Sequence, residues 1–387
     1  MIIHAPVVAE DSGEVVVSAA IEFETAVPEM PECLWFRFPE SQREYVSPRA
    51  DGFLIAMILL AMQYGEDIHV KGEVSPKLLL GLQEYQRVFN MWFPHRFKII
   101  QISCENVSLP KAARNGNVIC AFSGGVDSFF TLWNHLPSND KNSSSSISHA
   151  LFVHGFDIKL EDEDIFSKLK SDYSDMFQEL GLEFMTGSTN CQSFGTRWDW
   201  GIFHGTALIG IAHVIGLKSA RFYVPASHTY RDLMPWGTDP RIDHLLSSES
   251  MVVVHDGASF SRTEKTRILS SWPETYDKLR VCIPRDGMNN CSQCEKCVRT
   301  MLALDMLGVL DKFVTFQKPI DPAHIRKCIY RNASDFAFAK EILDYALELK
   351  RQDVALNVSY AILRSRVLQA ARFFKVRLIR LKRLVLK

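Results

Sequence analysis

No stretch of this 387-residue chain is apolar over the about 20 positions that a bilayer-spanning helix needs. Runs such as 54–61 stop well short of that length. Neither sign of charge is in excess: 44 Lys and Arg face 45 Asp and Glu, a formal net charge of −1, so no global attraction to nucleic acid or membrane is expected. The opening Met1-Ile2-Ile3-His4-Ala5-Pro6 has no basic segment leading into an apolar core, so no secretory signal is expected. No internal repeat is visible, which sets repeat architectures aside. What remains is an ordinary globular composition, 47% hydrophobic and 23% charged, in a chain long enough for two or three domains. A soluble, cytoplasmic protein is the expectation.

Residues 118–128 read Val-Ile-Cys-Ala-Phe-Ser-Gly-Gly-Val-Asp-Ser, an apolar strand entering Ser123-Gly124-Gly125-Val126-Asp127-Ser128 and then a helix. Adjacent glycines allow backbone turns closed to other residues, so successive N–H groups can face one anion. The following helix adds its positive end. Ser123 and Ser128 offer hydroxyls, and Asp127 is placed to hold Mg²⁺ or to cap the helix. A plain strand-turn-helix bend is the other reading of a bare Gly-Gly pair. The full hexapeptide resembles the phosphate loop of the PP-loop ATP pyrophosphatases, written SGGxDS, and lacks the Lys-Ser/Thr ending of a Walker loop. That resemblance implies ATP binding at residues 123–128 and cleavage between the α and β phosphates.

Nine cysteines are present, and four of them cluster: Cys282, then Cys291-Ser292-Gln293-Cys294-Glu295-Lys296-Cys297. Each Cys-x-x-Cys turn brings two thiolates to one ion, and a fourth from a preceding strand completes a tetrahedron. Zinc is the expected occupant, with an iron–sulfur cluster or a redox dithiol as alternatives. Cys33, Cys104, Cys120, Cys191 and Cys328 stand singly, as free cysteines of a reduced compartment do.

Together the two motifs resemble the 7-cyano-7-deazaguanine synthase family over about residues 116–308. The family's reaction implies adenylation of a carboxylate, attack by ammonia to give an amide, and a second adenylation that dehydrates it to a nitrile. Lys265, in Glu264-Lys265-Thr266-Arg267-Ile268, falls where the family carries Thr-Lys-x-Glu-Ile, and is expected with Asp127 to act on the phosphates. Phe152, Val153 and His154, at a strand end, match the family's adenine contact or, alternatively, are core packing and a turn. The family's Pro-Gly-Arg-Asn element is replaced by Trp200-Gly201-Ile202-Phe203-His204-Gly205-Thr206-Ala207, with no arginine or asparagine in register. Candidate acceptor-binding residues are therefore Arg197, His204, Arg231 and Arg241, with His204, His228 and His244 as candidate proton relays.

Three parts are expected: an α+β module over 1–112, an α/β doubly wound parallel sheet over 116–310 carrying the four-cysteine zinc site, and a helical extension over 311–387. The first has strand-like stretches at 14–20, 34–38 and 97–102 and helices near 52–64 and 75–93. Ile2 in place of cysteine, and no strand-turn-helix around a nucleophilic cysteine, make an attached ammonia generator unexpected. Strands of the second part are expected at 118–122, 149–153, 183–186, 220–224 and 251–255. The tail from Arg364 to Lys387 is rich in Lys and Arg, has no acid, and interleaves apolar residues. It reads as a helix packed by its apolar side, or as a partner for a protein, an RNA or a membrane surface. The expected cofactors are ATP, Mg²⁺ and Zn²⁺, and a homodimer is possible. Two alternatives stay open: a tRNA-modifying PP-loop enzyme of the thiolation type, and a repurposed family member acting on a protein or other acceptor.

Overall fold

The computed structural model describes residues 1–25, 30–110, 116–139, 145–194, 199–282 and 289–385, with side chains through Arg372. The described chain forms two compact units. The first comprises Met1–Ser123, Asp127–Ser227 and Pro235–Ala258; the second comprises Gly124–Val126, His228–Met234 and Ser259–Lys387.

Every described strand belongs to the first unit. They are β1 (Ile2–Ile3), β2 (Val7–Asp11), β3 (Glu14–Glu22), β4 (Cys33–Pro39), β5 (Ile68–Val74), β6 (Ile102–Val107), β7 (Asn117–Ala121), β8 (His149–His154), β9 (Glu183–Thr189), β10 (Ser219–Pro225) and β11 (Val252–Asp256). Helices of this unit are α1 (Asp51–Tyr64), α2 (Pro76–Trp92), α3 (Val126–Asn134), α4 (Glu163–Glu179) and α5 (Trp200–Val214). The strands join one sheet in the order β11-β10-β7-β8-β9-β4-β3-β1-β5-β6, with β2 paired to β3. From β11 to β9 every pairing is parallel. The order of these strands reverses between β7 and β10, which makes their carboxyl ends a topological switch point of a doubly wound sheet.

The expected boundary between 112 and 116 does not separate two bodies. β4 pairs antiparallel with β9, Phe36 opposite Thr189 and Arg37 opposite Ser188, so the first hundred residues extend the same sheet. A second tie is helical. α1 is buried from Asp51 to Met62 and crosses α5 at paired glycines: a Cβ on Gly52 would lie 2.4 Å from the Gly210 carbonyl oxygen. The expected boundary at 310 likewise falls inside the second unit, whose helices are α6 (Arg262–Leu269), α7 (Glu295–Met306), α8 (Pro322–Lys327), α9 (Ala333–Glu348) and α10 (Gln352–Val385). Its core joins Val298 and Leu302 of α7 to Ile342 and Ala346 of α9 and Val354 and Val358 of α10. Among the described residues no helix is long and apolar enough to cross a membrane.

Candidate functional site

β7 is buried over Val118, Ile119, Cys120 and Ala121 because parallel strands are covered on both faces, and it delivers the chain to Ser123 at its carboxyl end. Gly124 takes φ +75°, the left-handed region that glycine enters without a Cβ penalty. Ser128 is 3% exposed; its Oγ accepts the Ser123 N–H at 3.2 Å and lies 3.4 Å from Ser123 Oγ. Asp127 is half-buried in the first turn of α3, where a carboxylate meets the positive helix end. Within the second unit the Gly124 carbonyl accepts the Arg280 N–H at 2.7 Å. Lys265 is 2% exposed on α6. That helix starts with a capping box in which Ser261 Oγ accepts the Glu264 N–H and Glu264 accepts the Ser261 N–H.

Two contacts that the sequence did not single out brace α3. Thr131 Oγ1 donates to Asp256 Oδ2 at 2.8 Å, and His135 Nε2 donates to Asp256 Oδ1 at 2.8 Å while its ring stacks on Tyr223 at 4.1 Å. Asp256 ends β11, so one carboxylate ties the helix of the loop to the sheet near the switch point. An acidic residue closing an apolar strand was the available signal. Further along, the Asp243 carboxylate, wholly buried, accepts from His255 Nδ1 at 2.7 Å and from the Asp239 N–H at 3.1 Å.

β8 is buried throughout its length, and the side chains at its end are engaged in packing. Phe152 stacks on Phe166 at 5.1 Å and meets Tyr173 edge-on. The His154 ring stacks on the same Phe166 at 4.4 Å, and its Nε2 donates to the Lys159 carbonyl at 2.6 Å. Val153 is 7% exposed. Gly155 then turns the chain at φ +93°, where a Cβ would stand 2.1 Å from the Thr189 carbonyl oxygen. Packing and a turn account for these three side chains.

The candidate acceptor residues that are described each have local contacts. His204 is half-buried in α5; Nδ1 donates to the Trp200 carbonyl at 2.9 Å, Nε2 lies 3.3 Å from Thr238 Oγ1, and desolvation holds the imidazole below its ordinary pKa. Arg241 forks onto Asp239 and covers the Trp92 ring at 4.9 Å. Arg231, in the second unit, has a 79% exposed side chain 3.6 Å from Asp232. Arg197 lies outside the described residues. His228 meets Ser334 Oγ at 3.2 Å and stacks on Phe338, and His244 contacts the Pro240 carbonyl, so each has a local partner. The missing Arg-Asn element also has a structural counterpart. A Cβ on Gly205 would lie 1.8 Å from the Gly237 carbonyl oxygen, so α5 there lies against backbone.

In the second unit Cys282, Cys291, Cys294 and Cys297 converge, all four sulfurs within 4.8 Å of one another. Cys297 Sγ is 3.3 Å from Cys282 Sγ and 3.7 Å from Cys291 Sγ. A tetrahedral site with metal–sulfur bonds of about 2.3 Å has edges of about 3.8 Å, so the spacing suits such an ion. Backbone donors aim at the sulfurs: Cys291 N–H at Cys282 (3.2 Å) and Cys294 N–H at Cys291 (3.3 Å). Ser292, at φ +59°, turns the chain between ligands, and Cys294 stands at the N-cap position of α7. Asn290 fixes the approach: its Oδ1 accepts Val281 N–H at 2.8 Å, and its Nδ2 donates to the Leu279 carbonyl and Thr315 Oγ1. Hydrogen bonds from Cys282 and Cys297 hold the Cys294 thiol far below its ordinary pKa, whereas sharing a proton with Cys294 pushes Cys282 up to about 12. Crowded sulfurs competing for negative charge are what a divalent cation relieves, and the cluster has the chemistry to hold one, such as zinc.

No protein-family model, curated protein or solved structure matches the chain.

Proposed function

We propose that the protein binds ATP on residues 123–128 and cleaves it to AMP and pyrophosphate, adenylating a carboxylate for amide or nitrile formation with ammonia. The observation that carries this reading is the place of the Ser123-Gly124-Gly125-Val126-Asp127-Ser128 loop: it follows β7, at the switch point where doubly wound sheets bind their ligands, and leads into α3. The backbone N–H groups there and the helix end would neutralise charge gathering on the phosphates. Asp127 is the residue that would hold Mg²⁺, which supplies further charge neutralisation when bound. Lys265 is assigned to the same phosphates.

The acceptor in this reading is 7-carboxy-7-deazaguanine or a related carboxylate. Zinc on the four cysteines is structural, since four thiolates leave no open position for chemistry. The deciding experiment incubates the protein with labelled ATP, Mg²⁺, ammonia and a panel of carboxylates that includes 7-carboxy-7-deazaguanine. AMP and pyrophosphate in equal amounts support the proposal. Stoichiometric ADP, or no turnover and no pyrophosphate exchange with any acid, would remove it.

A further inference from the structure

α10 presents two faces with different fates. Val354, Val358, Ala361 and Ser365 are buried, in the core that α10 shares with α8 and α9. Leu356, Tyr360, Leu363 and Val367 are 70%, 53%, 63% and 59% exposed. Their spacing of four, three and four residues places them in one row along the helix. The same spacing continues in the sequence through Ala370, Phe374, Leu378, Leu381 and Val385, and the helix itself runs to Val385. At about 1.5 Å per residue the row is about 45 Å long.

Charge adds the second half of the pattern. From Arg364 to Lys387 there are nine lysines and arginines and no acidic residue, although the chain as a whole is balanced at −1. None of the nine falls in the apolar row. By helical periodicity five of them, Arg364, Arg366, Lys375, Arg377 and Lys382, flank the row, so an occupant of this face must accept an aliphatic and aromatic stripe and also supply negative charge on either side of it.

We propose that α10 docks on an anionic lipid surface, with the row from Leu356 to Val385 at the acyl boundary and the flanking cations among the headgroups. A second copy of the chain fits the stripe but sets cations against cations along the seam. A nucleic acid meets the cations through its phosphates and leaves the aliphatic side chains in water. An anionic membrane meets both demands in one plane. Because no described helix is long and apolar enough to span, the helix lies on the surface. This docking is independent of the nucleotide reading.

Full-length protein is sedimented with vesicles of phosphatidylcholine alone and of phosphatidylcholine mixed with phosphatidylserine. Partitioning to the mixed vesicles is expected to exceed the neutral ones by at least about tenfold and to fall as salt is raised. Leu363→Asp with Val367→Asp should lower it about tenfold, because the stripe loses its apolar continuity. Arg366→Glu with Arg377→Glu should do the same by a different route, which keeps the test open if the first variant folds poorly. Equal binding to neutral and anionic vesicles, or pelleting unchanged in either variant, overturns the proposal. So does wild-type protein that ignores vesicles and instead binds RNA, or forms a dimer that the Leu363→Asp, Val367→Asp variant loses.

Discussion

Arg241 and Asp239 form a two-point fork, Nε to Oδ1 and Nη2 to Oδ2, each at 2.7 Å, and Asp239 is 1% exposed while Arg241 remains 45% exposed. The carboxylate's main source of charge compensation is thus a side chain two residues away, and both donors of the fork that face it are committed. Arg241→Ala should destabilise the first unit by about 1–2 kcal/mol, since a buried carboxylate loses its partner but the arginine side was partly solvated already. Denaturant unfolding measures it. ATP turnover with any accepted carboxylate should keep its KM. A KM raised tenfold or more with stability unchanged would return Arg241 to the acceptor pocket.

The metal centre makes a separate prediction. Purified protein should carry about one zinc per chain, and Cys294→Ser should lose it together with several degrees of melting temperature, because metal binding and folding free energy are coupled. Asn290→Ala should keep the four sulfurs but loosen the segment from Leu279 to Cys282 that Asn290 holds, so zinc leaves faster to a chelator. Elemental analysis without zinc, or an iron–sulfur absorption band, would reject the assignment.

Much of the first unit was legible because each strand of the parallel set carries its own apolar run. Strands expected at 118–122, 149–153 and 220–224 correspond to β7, β8 and β10, displaced by a residue or so at their ends. The helices near 52–64 and 75–93 correspond to α1 and α2 in the same way. β5 was overlooked although Ile68, Val70 and Val74 alternate inward, since His69, Lys71 and Glu73 dilute the run. The strand expected at 97–102 begins where β6 does not: Phe97 and Ile100 are buried outside any strand, and pairing starts at Ile102.

Pairing partners were the larger loss. β4 meets β9 across about 150 residues of chain, and nothing local in Phe36 or Thr189 announces it, so an extension of one sheet read as a separate module. At the site, spacing made the four cysteines and the glycine loop visible. The Asp256 brace and the Asp239 fork were not, because a carboxylate's partner is decided by tertiary packing. The contacts of the candidate acceptor residues, His204 to the Trp200 carbonyl and Arg241 to Asp239, are likewise set by packing and have no sequence signal.

Stability should fall on mild acidification, and His149 supplies part of the reason. The imidazole opens β8, is 7% exposed, and burial lowers its pKa to about 4. An unfolded chain titrates near about 6.5, so below that pH the unfolded state binds the proton first and is favoured. The loss grows from about pH 6.5 down to pH 4 and then levels off, reaching on the order of 2 kcal/mol at about pH 5. Burial also lowers His204 and His213, which push the same way, while Glu295 and Glu341 are raised by burial and push the other way. The wild-type curve mixes all of these. Subtracting the curve of His149→Asn isolates the one group, and a difference that is flat from pH 7 to pH 5 would contradict its assignment.

The loop residues separate a phosphate cradle from an ordinary bend. Gly124 sits at φ +75°, where an L side chain costs about 1–2 kcal/mol, so Gly124→Ala should lower stability by that amount and displace the N–H groups on either side. Asp127→Ala alters no backbone geometry of this kind; it removes the carboxylate from the first turn of α3 with whatever that carboxylate contacts. If residues 123–128 hold ATP, both variants lose AMP formation by two orders of magnitude or more, although their stabilities differ in the way just described. If the loop is only a bend, Gly124→Ala lowers stability as before, yet turnover per folded molecule is unchanged in both. Measuring pyrophosphate exchange per folded molecule alongside the unfolding midpoint therefore distinguishes the two, because a loss that remains after that normalisation is not a loss of folding.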